Sequence, residues 1–165
     1  MAVDMYLELK GVKGETDDKI FKAKADRGID VLAWSWGVSN SGTTHMGGGG
    51  GGGKANFQDL SITKYVDSSS HALLLGCATG EHFDTAKLTV RKAGKTQLEY
   101  IIIEMKEVIV TSVSTGGSGG EDRLTENIAL NFAHVKFSYV PQKPDGSGDT
   151  PLPMTYSISE NTIEG

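Results

Sequence analysis

Cysteine is all but missing from this 165-residue chain: Cys77 stands alone, so no intrachain disulfide can form. No apolar run reaches the roughly 18 residues needed to span a bilayer. The start, Met1-Ala2-Val3-Asp4, lacks the basic and apolar regions of a cleaved signal peptide. Synthesis in the cytoplasm without membrane insertion is expected. An excess of one charge is also lacking. The 16 basic and 21 acidic residues are scattered to a net charge of -5, so no field holds a phosphate backbone and nucleic acid is not an expected partner.

Catalytic patterns are missing too. His45, His71, His82 and His134 share no H-x-H, H-x-x-E-H or H-E-x-x-H spacing, so no metal or other cofactor is expected. Ser118 lies in Gly116-Gly117-Ser118-Gly119-Gly120 between two strands, not in a G-x-S-x-G elbow entering a helix. Glu121 and Asp122 beside Arg123 read as a turn or a solvated ion pair, not as an acid and a base. The run Gly48 to Lys54 fits G-x-x-x-x-G-K, but Ala55 stands where a P-loop needs a hydroxyl, and a strand, not a helix, follows. The chain is not read as an enzyme.

What the chain has is glycine, 22 residues of it, set between β-branched runs. The organising stretch is Ser112 to Asn127. Upstream, Tyr100-Ile101-Ile102-Ile103-Glu104-Met105 through Val110 is a strand, and downstream Ile128-Ala129-Leu130-Asn131-Phe132 is another. The glycines of Gly116 to Gly120 tie them in a connection longer than a hairpin turn needs. A second glycine stretch, Gly47 to Gly53, predicts a long protruding hairpin loop.

Taken in order, Met5, Leu7 and Leu9 point inward from a first strand, and the charged Thr16–Gly28 segment reads as an exposed connection with one short strand around Ile20-Phe21. In Asp30 to Ser39, Leu32, Trp34, Trp36 and Val38 form a packing face, opposite Ala33, Ser35, Gly37 and Ser39. The tryptophans read as core anchors. Phe57 to Val66 reads as one strand. The one helix expected starts at Asp67-Ser68-Ser69-Ser70, carries an apolar stripe of Leu73, Leu74, Cys77 and Ala78 to plug a sheet, and ends at Gly80. Cys77 on that stripe is a small buried hydrophobe. Thr85 to Lys92 is a strand with a turn after it. Inward parity changes between Phe132 and Val135, which predicts a bulge or bend near Ala133-His134 of the kind that closes sheets into barrels. Met154 to Ile158 reads as a final edge strand. The expected fold is mainly β: an antiparallel β-barrel with one short α-helix and long glycine-rich loops, in a single domain.

Several segments together resemble the Hcp (haemolysin-coregulated protein) family of type VI secretion. They are Met1-Ala2-Val3-Asp4-Met5, Val12-Lys13-Gly14-Glu15, Ile29 to Gly37 with Trp34-Ser35-Trp36, His45-Met46-Gly47, Gln58-Asp59-Leu60-Ser61, Thr63-Lys64-Tyr65, Ala86 to Gly94, and Ser112 to Asn127. The match runs to about Gln142 and departs between Thr16 and Gly28 and in the tail after Pro141.

The resemblance implies a tail-tube-like barrel that forms homohexameric rings. These would stack into the inner tube of a contractile secretion apparatus, with small effector proteins in the lumen and spike and sheath proteins as partners. It implies secretion to the medium or a target cell. It assigns a reaching loop to Ser41–Lys54, which contains His45, Met46, Gly47, Gly48, Gly49, Gly50, Gly51, Gly52, Gly53 and Lys54, and it puts the Trp34-Ser35-Trp36 strand on the inner wall. Ser35, opposite the tryptophans, is the candidate cargo contact, and Glu121, Asp122 and Arg123 are candidates for polar stacking contacts. The alternative is a monomeric β-barrel module that binds a small ligand on the tryptophan strand.

Overall fold

The computed structural model describes residues 2–42 and 52–164. Its elements are β1 (Val3–Leu9), α1 (Lys19–Lys22), β2 (Ile29–Ser35), β3 (Val38–Asn40), β4 (Ala55–Phe57), β5 (Leu60–Tyr65), α2 (Ser70–Thr79), β6 (His82–Lys92), β7 (Leu98–Thr115), β8 (Thr125–Tyr139), β9 (Leu152–Ser157) and β10 (Thr162–Ile163).

All strand pairs are antiparallel. The pairings run β8–β5–β2–β1–β6–β7 and return from β7 to β8, so six strands close a circuit. β9 and β10 continue the sheet outside it as a flap on the second half of β8, and β3 with β4 forms a separate two-stranded arm. The core fills the circuit: Leu7, Leu9, Ile29, Leu60, Leu88, Ile103, Val108 and Leu130 are fully enclosed.

The bend expected at Ala133-His134 is present and is shared by two strands. Inward residues of β8 step from Phe132 to Val135, and those of β7 step from Met105 to Val108, at paired positions. Glu107, at that step in β7, holds φ 53°, a left-handed conformation that a non-glycine residue adopts only under local demand. There β8 exchanges β5 for β9 as neighbour, and the Ala133 carbonyl accepts from the Ile158 amide at 2.7 Å. The bend therefore divides the barrel from its flap.

Other expectations need correction. A register shift between Val31 and Ala33 changes which side of β2 faces inward: Ile29 and Val31 are buried before it, while Leu32 at the shift stays exposed. Val38, in the arm, is half exposed, so only Trp34 and Trp36 of the expected packing face lean on the core. Phe57 to Val66 is not one strand, because Gln58 and Asp59 separate the arm from β5. On α2, Leu73 is enclosed, but Leu74, Leu75 and Ala78 are exposed, so the helix packs by a narrower stripe than expected. Gly80 ends it at φ 69° as the sequence implies, and the helix packs against β7. Cys77 packs against the core from a half-buried position.

The largest departure is Thr16–Gly28, which is neither an exposed connection nor a strand. It holds a second helix, α1, whose first amides are capped by the Asp18 carboxylate. Phe21 is fully enclosed and stacks on Tyr6 at 4.2 Å. Asp18 also receives the Arg91 guanidinium, which lies over both rings and bonds the Tyr6 hydroxyl at 3.1 Å. A sequence rich in charge hides one aromatic plug and one ion pair, and together they fasten the segment to the outer face of β1 and β6. Gly14 makes this possible, because a Cβ there would lie 2.3 Å from the Gly28 carbonyl.

These contacts set the titration of the cluster. Burial pushes the Tyr6 phenol up to about 12, and the Asp18 and Asp4 charges add to it. For Asp18, burial works against ionisation, but hydrogen bonds from Arg91 and from the Phe21 and Ile20 amides outweigh it and hold the carboxyl below its ordinary range. A depressed folded value means stability present above the unfolded pKa of about 4 and lost as pH falls through the folded one. Asp18→Asn should therefore flatten part of the acid limb of the stability profile below about pH 4, measured as urea midpoints across pH. Phe21→Ala should cost about 3–5 kcal/mol in the same assay, whereas truncation of an exposed connection would leave the midpoint in place.

Candidate functional site

Two walls of the barrel differ in charge. On β1, β6, β7 and β8, Glu8 faces Lys87, Lys87 faces Glu104 and Glu104 faces Lys136, a row of alternating sign across the strands. Past Asp30, the outward side chains of the wall made by β2, β5, the first half of β8 and the last part of β7 are uncharged. Ser35, Ser61, Thr63, Ser112 and Asn127 line an open groove of about 390 Å³ there. Thr63 Oγ1 donates to Asn127 Oδ1 at 2.8 Å. Asp59 at the border of this wall is held by Thr111 Oγ1 at 2.6 Å and Asn131 Nδ2 at 2.9 Å.

Ser35 is exposed at the end of β2, on the side away from the half-buried Trp34. No base lines the groove with it among the described residues. The surface offers neutral donors and acceptors already solvated by water, and each contact with a partner is worth only about 1 kcal/mol.

The strand edges beside this wall are open. β6 pairs with β7 only as far as His82 with Ile109, so Val110 to Thr115 has β8 on one side and no described strand on the other. β1 meets β2 only at Asp30 and Ile29, so Val31 to Ser35 has β5 on one side and no described strand on the other. The neutral wall is a four-stranded sheet, β2–β5–β8–β7, with two such edges.

The two loop regions singled out by the sequence leave opposite ends of that sheet. The arm leaves at Ser35 and returns at Leu60, while the loop 116–124 joins Thr115 to Thr125, beyond Tyr65 of β5. His45, Met46, Gly47, Gly48, Gly49, Gly50 and Gly51 lie outside the described residues. Gly52, Gly53 and Lys54 begin the returning half of the arm, where Asn40 Nδ2 donates to the Gly53 carbonyl at 2.6 Å. Glu121, Asp122 and Arg123 are exposed. Arg123 sits 3.7 Å over the Tyr65 ring, and among the described residues no ion pair joins it to Glu121 or Asp122.

Sequence reasoning missed the charge buried behind this wall. Lys64 is fully enclosed and pairs with Glu126 and, at 3.0 Å, with Asp67, while Ser70 Oγ donates to Glu126 at 2.6 Å. The signal was available: Lys64 shares inward parity with Leu60 and Ile62, and Glu126 shares it with Ile128 and Leu130. Opposite charges at inward positions of paired strands imply a buried cross-link.

Comparison with known proteins places this geometry. The sequence model described as "Type VI secretion system effector, Hcp" matches residues 6–139. Protein hcp1 of Pseudomonas aeruginosa is 58% identical over 163 residues, which cover 98% of each chain. Among solved structures, one described as a type six secretion system protein superposes with a TM-score of 0.90 at 30% identity, covering 99% of this chain and 100% of that one. Hcp1 from Salmonella typhimurium superposes at 0.77 with 29% identity and the same coverage. With a matched model over most of its length and a full-length relative at this identity, the chain belongs to the Hcp family of type VI secretion proteins.

Proposed function

We propose that the chain is a structural subunit, not an enzyme. Copies of it join into a homohexameric ring, and rings stack into the inner tube of the secretion apparatus. The observation that carries this reading is the four-stranded neutral sheet with an open edge on each side. Open edges invite pairing with another chain, and a heterologous contact between β7 of one copy and β2 of the next satisfies both when the rotation closes. The neutral walls then line the lumen in a continuous surface, with Ser35 toward the cargo. Sixfold closure is the family's expectation.

Stacking is supported by the placement of the loops. The arm with Lys54 and the loop with Glu121, Asp122 and Arg123 leave opposite ends of the sheet, so one ring presents arms where the next presents glycine loops. Small effector proteins are the proposed cargo, spike and sheath proteins the proposed apparatus partners. The chain is made in the cytoplasm and leaves through the apparatus without a cleaved signal peptide. No helix among the described residues is long and apolar enough to cross a membrane.

Negative-stain micrographs of the purified protein should show annuli, and light scattering on gel filtration should give a multiple of 17.5 kDa. A monomer at micromolar concentration, with only solid particles in the micrographs, would overturn the ring and favour the small-ligand barrel. Leu32→Lys places a charge at the open edge of β2, where the side chain is already exposed. It should weaken ring formation about tenfold or more with an unchanged circular dichroism spectrum. Ser35→Gln should leave the ring intact and reduce co-purification of an effector, because a longer side chain fills the groove. Unaltered co-purification would remove Ser35 from the cargo surface.

A further inference from the structure

The arm is too small to hold itself in place. Three residues on each side, Val38–Asn40 and Ala55–Phe57, pair only with each other among the described strands, and an isolated two-stranded ribbon is marginal in water. Its direction must be set at its root. There Trp36 stacks with Phe57 at 6.0 Å and with Phe137 at 6.3 Å, and tilts against Phe132 at 6.3 Å. The indole Nε1 of Trp36 is buried and finds no acceptor among the described residues. Ring contacts, not a hydrogen bond of the indole, therefore fix where Trp36 lies.

The stack continues into the C-terminal flap. Phe57, the last residue of the arm, meets Tyr156 of β9 at 5.1 Å. The Tyr156 hydroxyl donates to Asn161 Oδ1 at 2.7 Å, and Asn161 holds the turn into β10 with φ 55°. Just beyond β10, Glu164 reaches back to His134 Nδ1 at 2.6 Å. One face of Tyr156 thus touches the arm, and its far end is tied to the turn that closes the flap.

We infer that the flap of β9 and β10 positions the assembly arm, and that Tyr156 is the positioning residue that joins them. This rests on the reading of β3–β4 as an assembly element. A change in the flap moves Phe57, Phe57 moves Trp36, and the direction of the arm follows. The flap lies outside the closed circuit of strands, and it touches the core through half-buried side chains such as Tyr156 and Ile158.

The test uses the full chain in a Trp34→Phe background, so that emission reports Trp36. Tyr156→Ala should red-shift that emission and raise amide exchange in 38–42 and 52–57. It should also weaken assembly about tenfold, the loss expected for one or two aromatic contacts. Tyr156→Phe keeps the ring and loses only the hydroxyl bond to Asn161, so it should restore most of all three, leaving a small shift of the same sign. If Tyr156→Ala leaves emission and arm exchange unchanged while the β9 amides stay protected, the inference is wrong. Raised arm exchange with unchanged assembly would support the coupling and remove the arm from assembly instead, so the two readings fail separately.

Discussion

Strand β8 has one free side and two claimants for it. Its other side is taken by β7 along nearly its whole length, so the remaining edge must serve β5 first and β9 afterwards. Where β8 passes from one neighbour to the other, its inward parity also shifts once, as happens when a strand takes up an extra residue while keeping its core on one face. The step from Phe132 to Val135, matched by Met105 to Val108 across the ladder, is that shift. From it follow a barrel on one side of the bend, a flap on the other, and a neutral sheet whose edges are not consumed by closure.

Buried charge then holds the pieces in register. Lys64, Glu126, Asp67 and Ser70 cross-link β5, β8 and the approach to α2, and Arg91 with Asp18 fastens the α1 segment to β6. Such pairs add little net stability over apolar residues of equal size, since desolvation offsets most of the attraction. Breaking one is costly, because the surviving charge is left without water or partner. Wrong registers are therefore penalised more than the right one is rewarded.

Legibility in the sequence followed how local the cause was. The helix end at Gly80, the long strands β6, β7 and β8 and the bend at Ala133-His134 were readable because glycine chemistry and two-residue alternation act within a few positions, whereas the breaks that split 30–39 and 57–66 into two strands each were not. That Ala33 and Ser35 lie on the exposed side of β2 was readable for the same reason. Leu32 was misjudged because a register shift lies inside β2, and nothing in Val31-Leu32-Ala33 announces it. Phe21 was misjudged because its partners, Tyr6 and Arg91, lie far away in the chain, and a lone aromatic among lysines and aspartates has no periodicity to reveal burial. The open edges were invisible for a deeper reason. Which strand ends lack a neighbour is a property of the whole circuit, and no segment carries it.

The contrast between the two walls bears on how a proposed tube could both hold and release a cargo. A wall of alternating charge would discriminate strongly by sign, repel many partners and respond to salt within a Debye length of roughly 8 Å. Hydroxyls and amides such as Ser35, Ser61, Thr63, Ser112 and Asn127 exchange water for protein at small net gain, so in the proposed tube retention would come from many weak contacts around a lumen and not from one strong site. Weak contacts multiply only while the cargo is enclosed, and they fall away together once it is not. Enclosure in the proposed tube would therefore supply an affinity that the groove beside Ser35 lacks.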